Sequence, residues 1–179
     1  KTQIRMLNLL KLKDKIMSNI RNTMGVALLV FSLIGCSSNK KAHSAENNTQ
    51  INDEINSLYQ EFKTIAGEKV YFSFDSAKLS EEAKTTLILQ ADWLNSKQNL
   101  VATIEGHCDE VGTKDYNLVL GLKRAESARN ALVKYGVVAS RLSVVSYGKS
   151  RPEDAGHTKE AHRVNRRTVT VIIKSKTNN

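Results

Sequence analysis

The sequence predicts an α/β two-layer sandwich, more narrowly an α+β domain on a mixed four-stranded sheet, with its elements in the order β-α-β-α-β-β. Three observations predict it. From Lys69 onward, short β-branched and aromatic runs alternate with stretches of helical periodicity. Two of the links between strands hold a helix and so read as β-α-β crossovers, which need parallel neighbours, while the shorter last link suggests an antiparallel partner. The single proline, Pro152, stands in that last polar link, where it interrupts no ladder.

The elements follow in order. VYFSF, residues 70–74, is the first strand. Ser80 can cap a helix whose first turn carries Glu81 and Glu82, favourable at the positive end of the helix dipole, with Leu87, Ala91 and Leu94 on its inner face. LVATIEG, 100–106, is the second strand. The second helix begins near Thr113–Asp115 and ends at Gly136, with Leu118, Gly121, Ala125, Ala128, Leu132 and Tyr135 on one stripe. LSVVSYG (142–148) and RTVTVIIK (167–174) are the third and fourth strands. The sheet domain so delimited covers residues 68–175.

Upstream, Ile51, Ile55, Leu58, Phe62 and Ile65 recur at helical spacing, so residues 51–67 read as an amphipathic helix closed by Gly67. Its stripe either packs on the domain or meets a partner. Residues 36–50 are small and polar without periodicity, a flexible tether. Residues 1–35 read as a signal peptide. Arg21 precedes the apolar run MGVALLVFSLIG, too short to span a bilayer as a helix, and the run ends in LIGC. This basic region, apolar run and Leu-x-Gly-Cys together resemble the lipobox of bacterial lipoproteins, which implies cleavage before Cys36 and a diacylglyceryl group on its thiol. Counted from Met17 the signal has ordinary proportions, so residues 1–16 read as an over-extended start.

Charge and cysteines narrow the function classes. The formal charge is +9, but +5 of it comes from the first 35 residues and +4 from Cys36 onward. A nucleic-acid-binding role is weakened accordingly, and Arg166 and Arg167 open a strand without interleaved aromatics, so they read as rim or structural charges. With Cys36 lipidated, only Cys108 remains, and no intramolecular disulfide is expected.

The chemistry concentrates in GHCDEVGTKDYN, 106–117, the loop between the second strand and the second helix. Such loops commonly bind polar ligands. Asp109 lies in it. Asn117 and Arg124 are seven apart on the helix, hence on one side, at the border of the apolar stripe. A carboxylate in the loop and a guanidinium on the helix would hold the two charges of a zwitterionic amino-acid end, with Gly121 between them leaving room. Two structural alternatives stay open: Asp109 caps the second helix, or it pairs with Arg124 as a salt bridge. A metal site is disfavoured, because His107, Cys108 and Asp109 are consecutive and point to opposite sides, with no C-x-x-C or H-x-x-x-H partner. A thiol enzyme would need an oriented base that Cys108 lacks. No metal and no cofactor are expected, and His107 is expected to hydrogen-bond the turn.

EGHCDEVGTKDYNLVLGLKRA, with VYFSFD before it and SYGKSRP and NRRTV after, resembles the OmpA C-terminal-like domain family from about Val70 to Ile173. The resemblance implies an OmpA-like fold that binds peptidoglycan, with Asp109 and Arg124 holding the free end of diaminopimelate in the peptide stem. It places Asn117 as the brace of the site and Phe74 and Asp75 in contact from the loop after the first strand. It counts Gly106, the opening residue of the motif, among the wall-binding positions. Cys108 departs from the usual Ala or Thr, Val111 from a residue that is often basic, and Lys123 from a frequent first arginine. The resemblance further implies a non-catalytic lipoprotein of the outer membrane, sorted there by Ser37 after the lipidated cysteine and facing the periplasm. It also implies the Tol system, with TolB as a partner in envelope constriction and cell division. The alternatives are a wall-modifying enzyme, for which no nucleophile–base pair can be assembled, and a basic nucleic-acid-binding protein.

Overall fold

The computed structural model describes residues 43–174, with side chains described for 53–173. The signal segment, Cys36 and Ser37 lie outside the described residues. The first described helix, α1 (His43–Ile65), starts well inside the stretch expected to be a tether. No glycine or proline interrupts the chain from His43 to Ile65, so a helix nucleated on the apolar stripe propagates back through polar residues. The stripe packs on the domain. Phe62 is fully buried against the Trp93 ring, 5.0 Å between centroids, and Trp93 Nε1 donates to Glu61 at 3.0 Å. Ile65 is exposed, and Ala66 is buried beyond the end of the helix in its stead.

The sheet domain comprises β1 (Lys69–Tyr71), α2 (Glu81–Ser96), β2 (Leu100–His107), α3 (Lys114–Lys134), β3 (Leu142–Gly148), α4 (Lys159–Asn165) and β4 (Arg167–Lys174). Ser80 caps α2 as its sequence suggests, accepting from the Ala83 N–H at 3.1 Å. Arg141 closes the other end of α2, donating to the Leu94 and Lys97 carbonyls at 2.9 and 2.8 Å. Thr113 caps α3, and Gly136, at φ 97, takes the left-handed turn that ends it. β1 is shorter than VYFSF, because past Phe72 the backbone turns away from the sheet and reaches φ 50 at Asp75.

The strand order is β1-β4-β2-β3. β2 and β3 are parallel, and β4 runs antiparallel to β1 on one side and β2 on the other. The fourth strand is therefore antiparallel as expected, but its partners are not the strand that precedes it. The link before it holds α4, a helix that sequence reading took for polar loop, and is long enough to carry the chain across the sheet. Leu100, Ala102 and Ile104 of β2 alternate inward against Leu87, Leu94 and Leu132 of the helices. Each such buried aliphatic side chain contributes about 1.5–3 kcal/mol relative to exposure. One polar bridge crosses this core: Thr170 Oγ1 donates to Gln90 Oε1 at 2.8 Å, and Gln90 Nε2 to the Gly67 carbonyl at 2.6 Å.

Helix α3 lies almost in backbone contact with β2. A Cβ added at Gly106 would stand 1.9 Å from the Gly121 carbonyl oxygen, and one added at Gly121 would stand 2.4 Å from Ser146 Oγ. Gly121 thus faces the sheet and leaves no room for a ligand, contrary to the sequence expectation. The expected outcome for Gly106→Ala is a loss of about 1–3 kcal/mol or more, from forcing α3 off the sheet. Urea unfolding followed by circular dichroism measures it, and an unchanged midpoint would contradict the contact.

Candidate functional site

The loop from Cys108 to Thr113 and the loop from Phe72 to Leu79 meet over the N-terminal half of α3. Between them lies a cleft of about 180 Å³, lined by Phe74, Asp75, Asp109, Val111, Gly112, Tyr116, Asn117, Leu120 and Arg124. Five of the six predicted wall-binding residues meet there. The sixth, Gly106, is buried beneath α3 in the contact described above and does not line the cleft.

Arg124 is the largest fully buried side chain, 1% exposed, and so does not sit at the core–solvent border. Its Nε donates to the Ser76 carbonyl at 2.8 Å, Nη1 to His107 at 2.9 Å and Nη2 to Ser73 at 3.1 Å, and the guanidinium carbon lies 5.4 Å from the Phe72 ring centre. Burial lowers its pKa from the ordinary value, with Asp109 opposing that effect. Three of the five N–H groups of a guanidinium are thus engaged by carbonyls, and the Cys108 side chain lies within hydrogen-bonding reach of the group.

Asp109, 4% exposed, makes no ion pair with Arg124. Its Oδ1 accepts from the Val111 N–H at 3.2 Å and its Oδ2 from Arg166 Nη1 at 3.1 Å. Thr113, not Asp109, caps the helix. Both structural alternatives for Asp109 therefore fail, and its cationic neighbour is Arg166, read from sequence only as a rim or structural charge. Arg166 also donates to the Phe72 carbonyl at 3.1 Å, so it joins the two loops.

Asn117 is buried, and its Nδ2 donates to the Val111 and Thr113 carbonyls at 2.8 and 3.1 Å, which ties the loop to the helix. Phe74 stands exposed at the lip. Asp75 accepts from the hydroxyl of Tyr116, a residue the sequence reading passed over although it directly precedes Asn117. Lys149 pins the outer side of the loop, donating to the Glu110 and Gly112 carbonyls at 3.0 and 2.6 Å. Glu110 in turn contacts His157 Nδ1 at 2.7 Å and His162 Nε2 at 3.0 Å, which holds its carboxyl below the usual range. Among the described residues no group of three or more His, Cys, Asp or Glu is arranged to hold a metal ion.

The thiol and the histidine of the motif turn inward. Cys108 Sγ donates to the Asn117 carbonyl at 3.3 Å, and burial pushes its pKa up, which removes the thiolate a nucleophile requires. His107 does not hydrogen-bond the turn. The β2–β3 register shifts between Gly106 and His107, the His107 carbonyl serves Arg124, and the buried ring packs 5.5 Å from Tyr147 with neither nitrogen hydrogen-bonded. Its Nε2 lies 3.6 Å from Glu105 Oε2, too far for a hydrogen bond.

The OmpA family model matches residues 71–166. The peptidoglycan-associated lipoprotein of Mesorhizobium japonicum is 38% identical over 156 residues, 85% of this chain and 92% of that protein. That of Haemophilus influenzae is 34% identical over 155 residues, 86% of this chain and 98% of that protein. Among solved structures, the peptidoglycan-associated lipoprotein from Burkholderia pseudomallei superposes with a TM-score of 0.58 at 39% identity, covering 59% of this chain and 90% of that one. The C-terminal domain of Helicobacter pylori MotB shares the fold, at a TM-score of 0.56 and 20% identity over 61% of this chain and 86% of that one.

Burial, and then the Arg167 charge, lower the His107 pKa to about 4, with Arg151 also nearby and Glu153 opposing. The unfolded imidazole takes up a proton near pH 6.5, about the ordinary value, whereas the folded one does not until about pH 4. Acid therefore favours the unfolded chain. This contribution is full above about pH 6.5 and is lost as pH falls toward 4, by at most about 1.4 kcal/mol per pH unit. Urea midpoints measured across that window should fall for the wild type and fall less steeply for His107→Gln.

Proposed function

Because the chain belongs to the OmpA family, and within it to the peptidoglycan-associated lipoproteins, we propose that its cleft grips the diaminopimelate end of a peptidoglycan stem. The observation that carries this reading is that a buried carboxylate and a buried guanidinium line one cavity without pairing with each other. The Asp109 carboxylate takes the ammonium, and Arg124 takes the carboxylate of the ligand through N–H not engaged by the loop carbonyls. The cleft, about 180 Å³, is of a size for an amino-acid head and not for a whole peptide stem. Phe74 and Val111 at the lip cover the aliphatic stem, and Asn117 acts through the loop, holding Asp109 in place.

The protein is then a non-catalytic adaptor. A lipid on Cys36 holds it in the periplasmic leaflet of the outer membrane, and the domain ties that membrane to the wall. Within the Tol system it meets TolB and takes part in envelope constriction at division. A wall-modifying enzyme is the weaker reading, because the buried Cys108 thiol donates to a carbonyl and has no base to activate it.

Asp109→Asn is measured beside its melting curve, since the amide retains an acceptor for the Val111 N–H but removes the charge and the oxygen that accepts from Arg166. Losing one partner of a buried charge contact costs on the order of 2–5 kcal/mol, so sedimentation with purified sacculi should weaken at least tenfold. Arg124→Lys should lose binding and stability together, because one ammonium cannot replace the fork that holds three carbonyls. Free diaminopimelate should compete with sacculi, and Nα-acetyl-lysine amide, which keeps a side-chain ammonium but has no zwitterionic amino-acid end, should compete much less. Full sacculus binding by an Asp109→Asn variant that melts like the wild type would overturn the reading. For the anchor, Cys36→Ala should abolish fatty-acid labelling and release the protein from the membrane fraction.

A further inference from the structure

Asp109 has two guanidiniums for neighbours. Arg124 lines the cleft beside it, and Arg166, which does not line the cleft, donates from Nη1 to Asp109 Oδ2 at 3.1 Å. Arg166 is tied to Phe72 twice. Its Nε donates to the Phe72 carbonyl at 3.1 Å, and its own carbonyl accepts from the Phe72 N–H at 2.9 Å. Its N–H closes α4 by donating to the His162 carbonyl at 3.1 Å. The side chain, 16% exposed, is therefore held on an arm fixed at both ends. The other cations around the loop are engaged elsewhere. His157 and His162 contact Glu110, and Lys149 Nζ donates to the Glu110 and Gly112 carbonyls. Burial is the largest influence on the Arg124 pKa and lowers it; of the two nearby charges, Asp109 raises it and Arg166 lowers it, so the three groups act on one another.

We propose that Arg166 is a positioning residue that keeps the acid and the base of the cleft apart, so that binding depends on it although it does not touch the ligand. The inference rests on the proposed function of the cleft and names what holds that cleft open. A buried carboxylate without a cation is unfavourable. With Arg166 removed, the cation left for Asp109 is Arg124, which lines the same cavity and has N–H groups that no carbonyl engages. The two ligand-binding charges would then satisfy each other, and a zwitterion would have to break their pair to enter. Arg166 prevents this by taking one Asp109 oxygen, while the Val111 N–H takes the other. Each carboxylate oxygen keeps a further lone pair, which is what an incoming ammonium needs. The contact between Arg166 and Asp109 is one N–H to one oxygen and not a fork, so a point charge can stand in for it.

The test measures binding of free diaminopimelate to the full chain by calorimetry, with a melting curve for each variant. Arg166→Gln should bind about tenfold more weakly than the wild type, or worse. Arg166→Lys, which keeps the charge and gives up the bond to Phe72, should bind within about threefold of the wild type. A double-mutant cycle separates this role from a general loosening of the loop. Asp109→Asn weakens binding in the wild-type background, but added to Arg166→Gln it should cost nothing further, because the neutral amide releases Arg124 from the pair. A loosened loop would instead make the two losses multiply. Wild-type affinity in Arg166→Gln, a loss in Arg166→Lys equal to that in Arg166→Gln, or multiplying losses in the cycle would each overturn the proposal. If Arg166→Gln does not fold, Arg166→Lys decides alone, and a loss of about tenfold in a folded Arg166→Lys overturns it. If the wild type itself does not bind diaminopimelate, the cleft reading fails, which is a different result from a wild type that binds and an Arg166→Gln variant that binds equally well.

Discussion

The buried guanidinium of Arg124 organises everything around the cleft. Taking it out of water is costly, and three charge-assisted hydrogen bonds to carbonyls, each contributing about 1.5–3 kcal/mol, offset that cost. Those carbonyls belong to two segments far apart in sequence, the end of β2 and the loop after β1. One side chain therefore decides where β1 stops, since the backbone leaves the sheet to present Ser73 and Ser76 to it.

The opposite wall of the cleft is held from another direction. Lys149, Glu110 with its two histidines, and Arg166 all connect the Cys108–Thr113 loop to the segment between β3 and β4. A binding loop strapped at its backbone carbonyls and at its one buried acid loses little freedom when a ligand arrives. Less of the interaction energy goes into ordering the loop, and more remains as affinity. The aspartate is also held by a cation on its protein side, Arg166, while its other face lines the cavity.

What could be read in the sequence was what is local. Ser80 and the two glutamates after it located the start of α2, and the strands at 142–148 and 167–174 coincide with β3 and β4. The resemblance carried by VYFSFD and EGHCDEVGTKDYNLVLGLKRA named five residues that line one cleft in the structure. What could not be read was what depends on facing. Gly121 is small because a strand lies beneath it, and nothing along the chain distinguishes that reason from space for a ligand. Arg166 becomes the partner of Asp109 only once β4 is placed between β1 and β2, a long-range fact. Helix α4 has seven residues, too few for an apolar period to emerge, although Thr158 caps it in the ordinary way. His107 shows the same limit: its identity suggested a hydrogen bond, and the register shift at Gly106 turned the ring inward.

The position of β4 also sets when the domain can come into being. β1 and β2 share no edge: β1 finds its backbone partner on β4, and β2 lies between β4 and β3. A chain emerging from the ribosome can form α1, α2 and the parallel β2–β3 pair, but the sheet stays split until residues 167–174 are available. Closing it joins β1 to a segment about a hundred residues later, a large loop-closure cost that falls late in folding. Until β4 is in place β1 has no strand partner, so a chain with this connectivity stays incompletely folded, the state in which a polypeptide can still be threaded through a narrow pore.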